Sequence, residues 1–375
     1  MSVSLLTSSE LARALEVRDL TDPAQGRHAM QRIADDVVGA LVRAWRCDHR
    51  IHRGPRIVTL HDNYDALGYT ADAVTRDARY TRYVSATEVL RSHTSAAIPA
   101  ALRALRSGDA VPDVLLACPG VVYRRDSIDR LHSGTPHQID LWRVARDGAL
   151  EEGDLKEMIN IVVRAVLPGA EYRVEPRSHP YTTAGLQIDV ANGDEWVEIG
   201  ECGVASARVL RGAGVAGTGL AMGLGLDRIL MLRKGIADIR VLRATDPRVA
   251  GQMGDLALYR SVSNLPAIAR DLSIAVPEED AAEELGDRVR AVLGGDADAV
   301  EAVEIVAETP GADLPALARE RLGWRPGQKN VLVRIVLRHP SRTMTREDAN
   351  ELGNRIYDAL HCGTAGLRPA SASAS

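Results

Sequence analysis

The 375-residue chain contains no phenylalanine, although it holds nine tyrosines and four tryptophans. A chain of this length and ordinary composition would carry roughly a dozen. Lysine is scarce too, present at Lys156, Lys234 and Lys329 among 46 basic residues. Arginine in its place, with abundant alanine and glycine, reads as a genome-wide codon bias. That bias does not cover the missing phenylalanine, because tyrosine codons face similar pressure. No run of 18 or more apolar residues is present, and the start lacks the charged and apolar regions of a secretory signal, so neither a membrane span nor export is supported. The expected compartment is the cytoplasm. Cys47, Cys118, Cys202 and Cys362 are widely spread with no C-x-x-C, which argues against a disulfide framework and a zinc ribbon. Cys47, His49 and His52 form the one tight Cys/His group; their spacing fits no standard zinc pattern and reads as an exposed helix end. A net charge of -5 excludes coating of nucleic acid by bulk charge and leaves only local basic patches for such contact.

What is present is an ordinary globular composition, 45% apolar and 26% charged, in a chain long enough for two domains. The first sixty residues read as helix. SSELARALEV offers a serine cap and an early glutamate, and HAMQRIADDVVGALVRAW has apolar residues at helical spacing. VLLACPGVVYR and HQIDLWRVA then read as two strands joined by a long polar loop, DSIDRLHSGTP, and GDLKEMINIVVRAVLPG as an amphipathic helix. AEYRVEPR, GLQIDVA and EWVEIGECG follow as strands without intervening helices, which implies an antiparallel sheet. After DPRVAGQMGD the order becomes β-α-β-β-α, with a short final strand possible, the split βαβ pattern of a ferredoxin-like domain. The expected boundaries are a helical region at 1–57, a catalytic domain at 58–246, a linker at 247–258, the ferredoxin-like domain at 259–368 and a disordered tail at 369–375.

Gly212-Ala-Gly214-Val-Ala-Gly217 matches the G-x-G-x-x-G dinucleotide fingerprint. That fingerprint needs a parallel βαβ unit and a helix opening at its third glycine. Here the preceding strands read as antiparallel, and the helix GLDRILMLRKG begins several residues later. The Rossmann reading is therefore set aside.

VVYRRDSIDRLHSGTPHQID, 121 to 140, resembles motif 2 of class II aminoacyl-tRNA synthetases in the form used by phenylalanyl-tRNA synthetases. LRSHTSAA resembles the segment that meets the amino acid, and GLAMGLGLDRILMLRKG resembles motif 3. YRSVSNLPAIARDLSIAVP and HPSRTMT resemble the ferredoxin-fold anticodon-binding domain of the single-chain, mitochondrial-type enzyme, a form that DNYDALGYTADAV fits too. The resemblance implies an α+β fold, a class II antiparallel sheet flanked by helices, and a reaction of amino acid, ATP and tRNA with Mg²⁺. A monomer or homodimer is expected, and the sequence does not decide between them, since motif 1 is not readable in the first sixty residues.

By that resemblance Arg124 would hold the α-phosphate, Asp126 would meet the adenine amino group, and His132 the outer phosphates; Arg228 would stack on adenine and reach the γ-phosphate. Gly223 and Gly225 would let the backbone pass close to ATP. His93, Ser95, Gln138 and Asp140 would recognise the amino acid, with Asp140 in the place of the family's usual Glu. Glu198 is the candidate Mg²⁺ ligand, and Arg260, Arg270, Arg334, Arg338 and Arg342 the candidate tRNA contacts.

The chain also departs from the family. By the resemblance, His179-Pro180-Tyr181 stands where the family has Phe-Pro-Phe walling the side-chain pocket, Pro136 where it has an aromatic residue packing on adenine, and Met222 where motif 3 has an aromatic residue, next to Ala221, which shapes the pocket floor. Weaker adenine stacking and a more polar side-chain pocket are expected. The absent phenylalanine then has two readings. A phenylalanyl-tRNA-forming enzyme made without phenylalanine can be translated when its product is scarce. Alternatively, the replacements track a more polar or modified aromatic substrate. A paralogue without activity and a non-catalytic tRNA-binding or regulatory protein on the same scaffold are the remaining alternatives.

Overall fold

The computed structural model describes residues 5–106, 113–262, 266–339 and 342–365. The chain divides into a first unit of residues 1–124, 135–242 and 250–259 and a second of residues 125–134, 243–249 and 260–375.

In the first unit α1 (Ser8–Glu16) starts at Thr7, whose hydroxyl accepts from the Glu10 amide while Glu10 accepts from the Thr7 amide. This reciprocal box sets the cap one residue before the serines that the sequence suggests. α2 (Ala29–Trp45) buries Met30, Ile33, Val37 and Leu41 along one stripe. It stops at Arg46, whose left-handed φ of 52° turns the chain into β1 (Asp48–Ile51). The stretch read as a helix end, Cys47 to His52, is thus a strand, with Cys47 buried at its entry. There follow β2 (Ile57–Thr59), α3 (Leu60–Asn63), β3 (Glu88–Leu90), α4 (Ile98–Arg106), β4 (Asp113–Val121), β5 (His137–Ala145), α5 (Glu152–Val166), β6 (Tyr172–Pro176), β7 (Thr182–Asn192), β8 (Glu195–Ala205), α6 (Ala207–Gly212), β9 (Thr218–Gly225) and α7 (Leu226–Lys234).

Among the described residues seven of these strands form one sheet, ordered β1-β4-β5-β9-β8-β7-β6. Every pairing is antiparallel except β1 with β4. Side chains alternate between the faces of a strand, so the register decides what each face carries. Gln138, Asp140 and Trp142 of β5 lie opposite Gly225, Gly223 and Ala221 of β9, which puts a row of small residues beside three functional ones. α4 and α6 pack over the Trp142 and Ala221 end of this face through Ile98, Leu102, Val209 and Leu210. α2, α5 and α7, packed on one another and against β4, β8 and β5, cover the other face. The glycine run is the return from α6 to β9: Gly214 and Gly217 have φ of 75° and 130°, and a Cβ at Gly217 would sit 2.3 Å from the Ala145 carbonyl. Left-handed backbone at both, with crowding at Gly217, accounts for those two glycines without a ligand.

The second unit contains most of α8 (Pro247–Ala250), then β10 (Ile268–Pro277), α9 (Ala282–Leu293), β11 (Val300–Thr309), α10 (Ala316–Leu322), β12 (Gln328–Leu337) and α11 (Arg346–Leu360). β10 and β11 flank β12, both antiparallel to it, the split βαβ arrangement. Its core joins Ile274 and Val276 of β10 to Val289 of α9, Val333 and Ile335 of β12 and Ile356 of α11. No final strand forms in residues 361–365, although the Cys362 amide donates to the Ala275 carbonyl at 2.7 Å, on the free edge of β10. The expected disordered tail lies outside the described residues. Residues 250–259 return to the first unit, where buried Lys234 donates to the carbonyls of Asp255 at 2.9 Å and Ala257 at 2.6 Å.

Candidate active site

Asp140 is the centre of the site. The Thr94 and Ser95 hydroxyls donate to its Oδ2 at 2.8 and 3.0 Å, and the Trp142 indole N–H lies 3.4 Å from its Oδ1. Even with these donors, burial pushes its carboxyl up to about 6. A buried carboxylate that is costly to ionise gains most from a nearby cation, and the charge of Arg124 acts on Asp140 only as the smallest of the named effects. Gln138, two residues earlier on the same face, accepts from the Thr94 amide at 3.4 Å.

An aromatic tier adjoins Asp140. Tyr181 stacks on Trp142 with centroids 6.1 Å apart and on His179 at 5.6 Å, and Tyr69 stacks on His93 at 5.9 Å. Neither ring nitrogen of His93 makes a well-formed hydrogen bond. Burial, helped by the charge of Arg124, pushes that imidazole down to about 3, so it is neutral at working pH. Burial raises the Tyr69 and Tyr181 phenols, and both rings lie within electrostatic range of Asp140 and Glu201. Glu201 is held by His179, whose Nε2 is 2.8 Å from its Oε2, and by Arg177 Nε at 3.1 Å. Burial opposes ionisation of Glu201, but His179 and Arg177 together hold its carboxyl below the usual range.

The cationic end is built from the ends of β4 and β9. Arg124 follows β4 and donates Nε to the Ser92 carbonyl at 2.8 Å. Ser92 is fixed in turn by buried Asn63, whose amide donates to its hydroxyl at 2.9 Å. Arg228 sits in the first turn of α7 and donates to the Glu198 carbonyl at 3.1 Å, with the Glu198 carboxylate 3.8 Å away. Burial pushes the Glu198 carboxyl upward, against the charges of Arg228 and, more weakly, Arg124. One carboxylate thus senses both guanidinium groups. A Cβ on Gly223 would meet only Asp140 Oδ2, at 3.6 Å, and one on Gly225 only the Ile199 carbonyl, at 3.7 Å. Internal packing therefore does not require glycine at either position.

Residues 15–253 match the family described as tRNA synthetases class II core domain (F), and that span covers more than half of the chain. The chain belongs to the class II aminoacyl-tRNA synthetases. Among its relatives, the phenylalanine–tRNA ligase alpha subunit of Prochlorococcus marinus (strain MIT 9313) is 32% identical over 245 residues, 63% of this chain and 70% of that protein. The chloroplastic/mitochondrial phenylalanine–tRNA ligase of Arabidopsis thaliana is 29% identical over 318 residues, 81% of this chain and 69% of that protein. A solved pyrrolysyl-tRNA synthetase from Desulfitobacterium hafniense is 18% identical with a TM-score of 0.46, over 64% of this chain and 80% of that one.

In this synthetase the first unit gathers His93, Ser95, Arg124, Pro136, Gln138, Asp140, His179, Tyr181, Glu198, Ala221 and Arg228. Pro136 precedes β5 and accepts from the Val122 amide at 2.8 Å. Met222 departs from expectation. It lies opposite Leu141 and Cys202, on the face away from Asp140, so its replacement of an aromatic residue leaves the Asp140 face unchanged. Asp126 and His132 are in the second unit, on a segment whose Ile128 is buried in that unit's core. Arg290 donates to the carbonyls of Asp126 and Ser127, and the Val303 amide to that of Ile128 at 3.0 Å. His132 Nδ1 is 2.7 Å from Asp129 Oδ2.

Three of the five candidate tRNA-contacting arginines of the synthetase are engaged by carboxylates. Arg334 pairs with Asp271 at 2.8 Å, Arg338 with Glu301 at 2.8 Å and Arg342 with Asp348 at 3.0 Å. Arg270 donates to Asn350 at 2.9 Å, and Arg260 is in the second unit as well. Sequence reasoning missed Asn63, Ser92, Tyr69 and Glu201. It also missed the pair formed by His137 and Asp227, in which the buried Asp227 carboxylate accepts from the His137 amide and anchors the start of β5. Asn63 and Tyr69 lie in DNYDALGYTADAV, a stretch with a family signal but no residue-level one. Glu201 has no local signal, because only strand pairing brings it level with Asp140.

No helix among the described residues is long and apolar enough to cross a membrane.

Proposed function

We propose that this synthetase activates an aromatic amino acid of the phenylalanine type with ATP and transfers it to tRNA. The observation that carries the reading is the sequence of groups along one sheet face. A buried carboxylate in need of a cation, Asp140, stands beside an aromatic tier, next to an open glycine trough, next to two arginines. In this reading Asp140 and Gln138 take the ammonium, with Ser95 and neutral His93 close by, and the ring enters between Tyr181, His179 and Ala221. The substrate carboxylate oxygen attacks the α-phosphorus of ATP, the bond to the β-phosphate oxygen breaks, and pyrophosphate leaves. Arg124 steadies the charge on the α-phosphate, and Arg228 stacks on adenine and meets the γ-phosphate, both held in place beforehand by backbone carbonyls. Pro136 borders the adenine. A tRNA hydroxyl then attacks the aminoacyl carbonyl and releases AMP, with the arginines of the second unit, Arg260, Arg270, Arg334, Arg338 and Arg342, meeting tRNA phosphates.

Among the described residues no group of three or more His, Cys, Asp or Glu could hold a metal. A single carboxylate such as Glu198 suits Mg²⁺ carried mainly by phosphates, where the ion supplies charge neutralisation. The test is charging of total tRNA with each of the twenty amino acids in the presence of ATP and Mg²⁺. Charging by an aromatic amino acid alone is expected; charging by an aliphatic or acidic one in its place would overturn the proposal.

A further inference from the structure

The sheet face read as the amino-acid slot carries a second acidic residue level with Asp140. Asp140, Gly223 and Glu201 occupy the same register position on three neighbouring strands, on one face. The middle residue has no side chain, so two carboxylates stand across a gap of two strand spacings, about 10 Å between their Cα atoms. Asp140 is braced from behind by Thr94, Ser95 and Trp142, and Glu201 by His179 and Arg177. The Tyr69 and Tyr181 rings lie within electrostatic range of both. An ammonium uses one carboxylate. The other is an ionised acceptor on the same sheet face, within electrostatic range of the Tyr69 and Tyr181 rings, with about two of its roughly four acceptor positions taken.

A plain benzyl group in that slot would strip water from Glu201 and return nothing, whereas a ring hydroxyl would donate to it. We infer that the synthetase selects an aromatic amino acid bearing a hydroxyl on its ring, and that Glu201, oriented by His179, is the residue that reads the hydroxyl. The inference rests on the reading of this face as the amino-acid slot of an adenylate-forming enzyme, and it deepens that reading by naming the substrate class. The direction of the Glu201 titration agrees: its carboxyl stays charged in spite of burial.

The test measures kcat/KM for amino-acid-dependent ATP–pyrophosphate exchange with phenylalanine, para-hydroxyphenylalanine, meta-hydroxyphenylalanine and para-fluorophenylalanine. The full-length protein is compared with its Glu201→Gln and His179→Gln variants, each checked for folding by thermal unfolding. One hydroxylated substrate is expected to exceed phenylalanine roughly ten- to hundredfold, as a hydrogen bond to a charged group provides. The fluoro compound, similar in shape but not a donor, gains nothing. Glu201→Gln lowers the hydroxyl-to-phenylalanine ratio at least tenfold, a ratio that a merely structural Glu201 would not move. Preference for phenylalanine, or an unmoved ratio in folded Glu201→Gln, overturns the inference and leaves the ligase reading standing. Absence of exchange with every aromatic amino acid overturns both.

Discussion

Asp140 shows how the site trades stability for binding. Its carboxyl is raised to about 6 by burial, so the folded protein resists the ionisation that an unfolded chain allows near 3.8. A raised carboxyl binds its proton more tightly when folded, so stability is highest below the unfolded value and falls as pH rises through the folded one. Asp140→Asn is therefore expected to raise the unfolding temperature at pH 8, by roughly 2–4 °C for each kcal/mol recovered. The gain should shrink at pH 5, and amino-acid activation should be lost at both. Unfolding scans at the two pH values check it, and a lower unfolding temperature at pH 8 contradicts it. The glycines give a second contrast. Gly223→Ala has room in the protein and is expected to change stability by less than about 1 kcal/mol while it blocks ATP. Gly200→Ala, whose Cβ would lie 2.4 Å from the Gly223 carbonyl, is expected to cost about 1–3 kcal/mol. Denaturant unfolding beside ATP titration separates the two.

Between elements, the loop from β4 to β5 reads from its sequence, polar and rich in charge, as a functional loop, and nothing local marks Ile128 as a core residue of the second unit. Ile128→Ala is expected to destabilise that unit by about 2–5 kcal/mol and to speed hydrogen exchange at the Val303 amide, which donates to the Ile128 carbonyl. Unchanged exchange at Val303 would show that the anchor carries no weight. The same comparison explains what was legible beforehand. α2 and α5 announce themselves by a stripe, β4 and β5 by apolar runs, and the ferredoxin-like order by its alternation, because each is a local pattern. β1 was hidden because four residues after a helix carry too little pattern, and α10 because a seven-residue helix between two strands has no clear stripe. Met222 was misjudged because neighbours in sequence point to opposite faces of a strand, and only the register tells which face holds the cleft.

For the molecule as a whole, a net charge of -5 and an RNA partner are compatible only if basic groups are concentrated. Asp271, Glu301 and Asp348 pair with three of the five arginines that the sequence offers for such contact. In the proposed reading, recognition of the nucleotide is similarly concentrated, in Arg124 and Arg228, whose charges both act on Glu198 from the end of β4 and from α7. The central claim is that these two guanidinium groups act on a single ATP. Its most direct measurement is aromatic-amino-acid-dependent ATP–pyrophosphate exchange in the parent protein and in Arg124→Ala, Arg228→Ala and the double variant. The account predicts exchange in the parent, a loss of at least roughly a hundredfold in each single variant, and a double variant little worse than either, since residues that act as a unit are not additive. Parent activity that survives both replacements would contradict it.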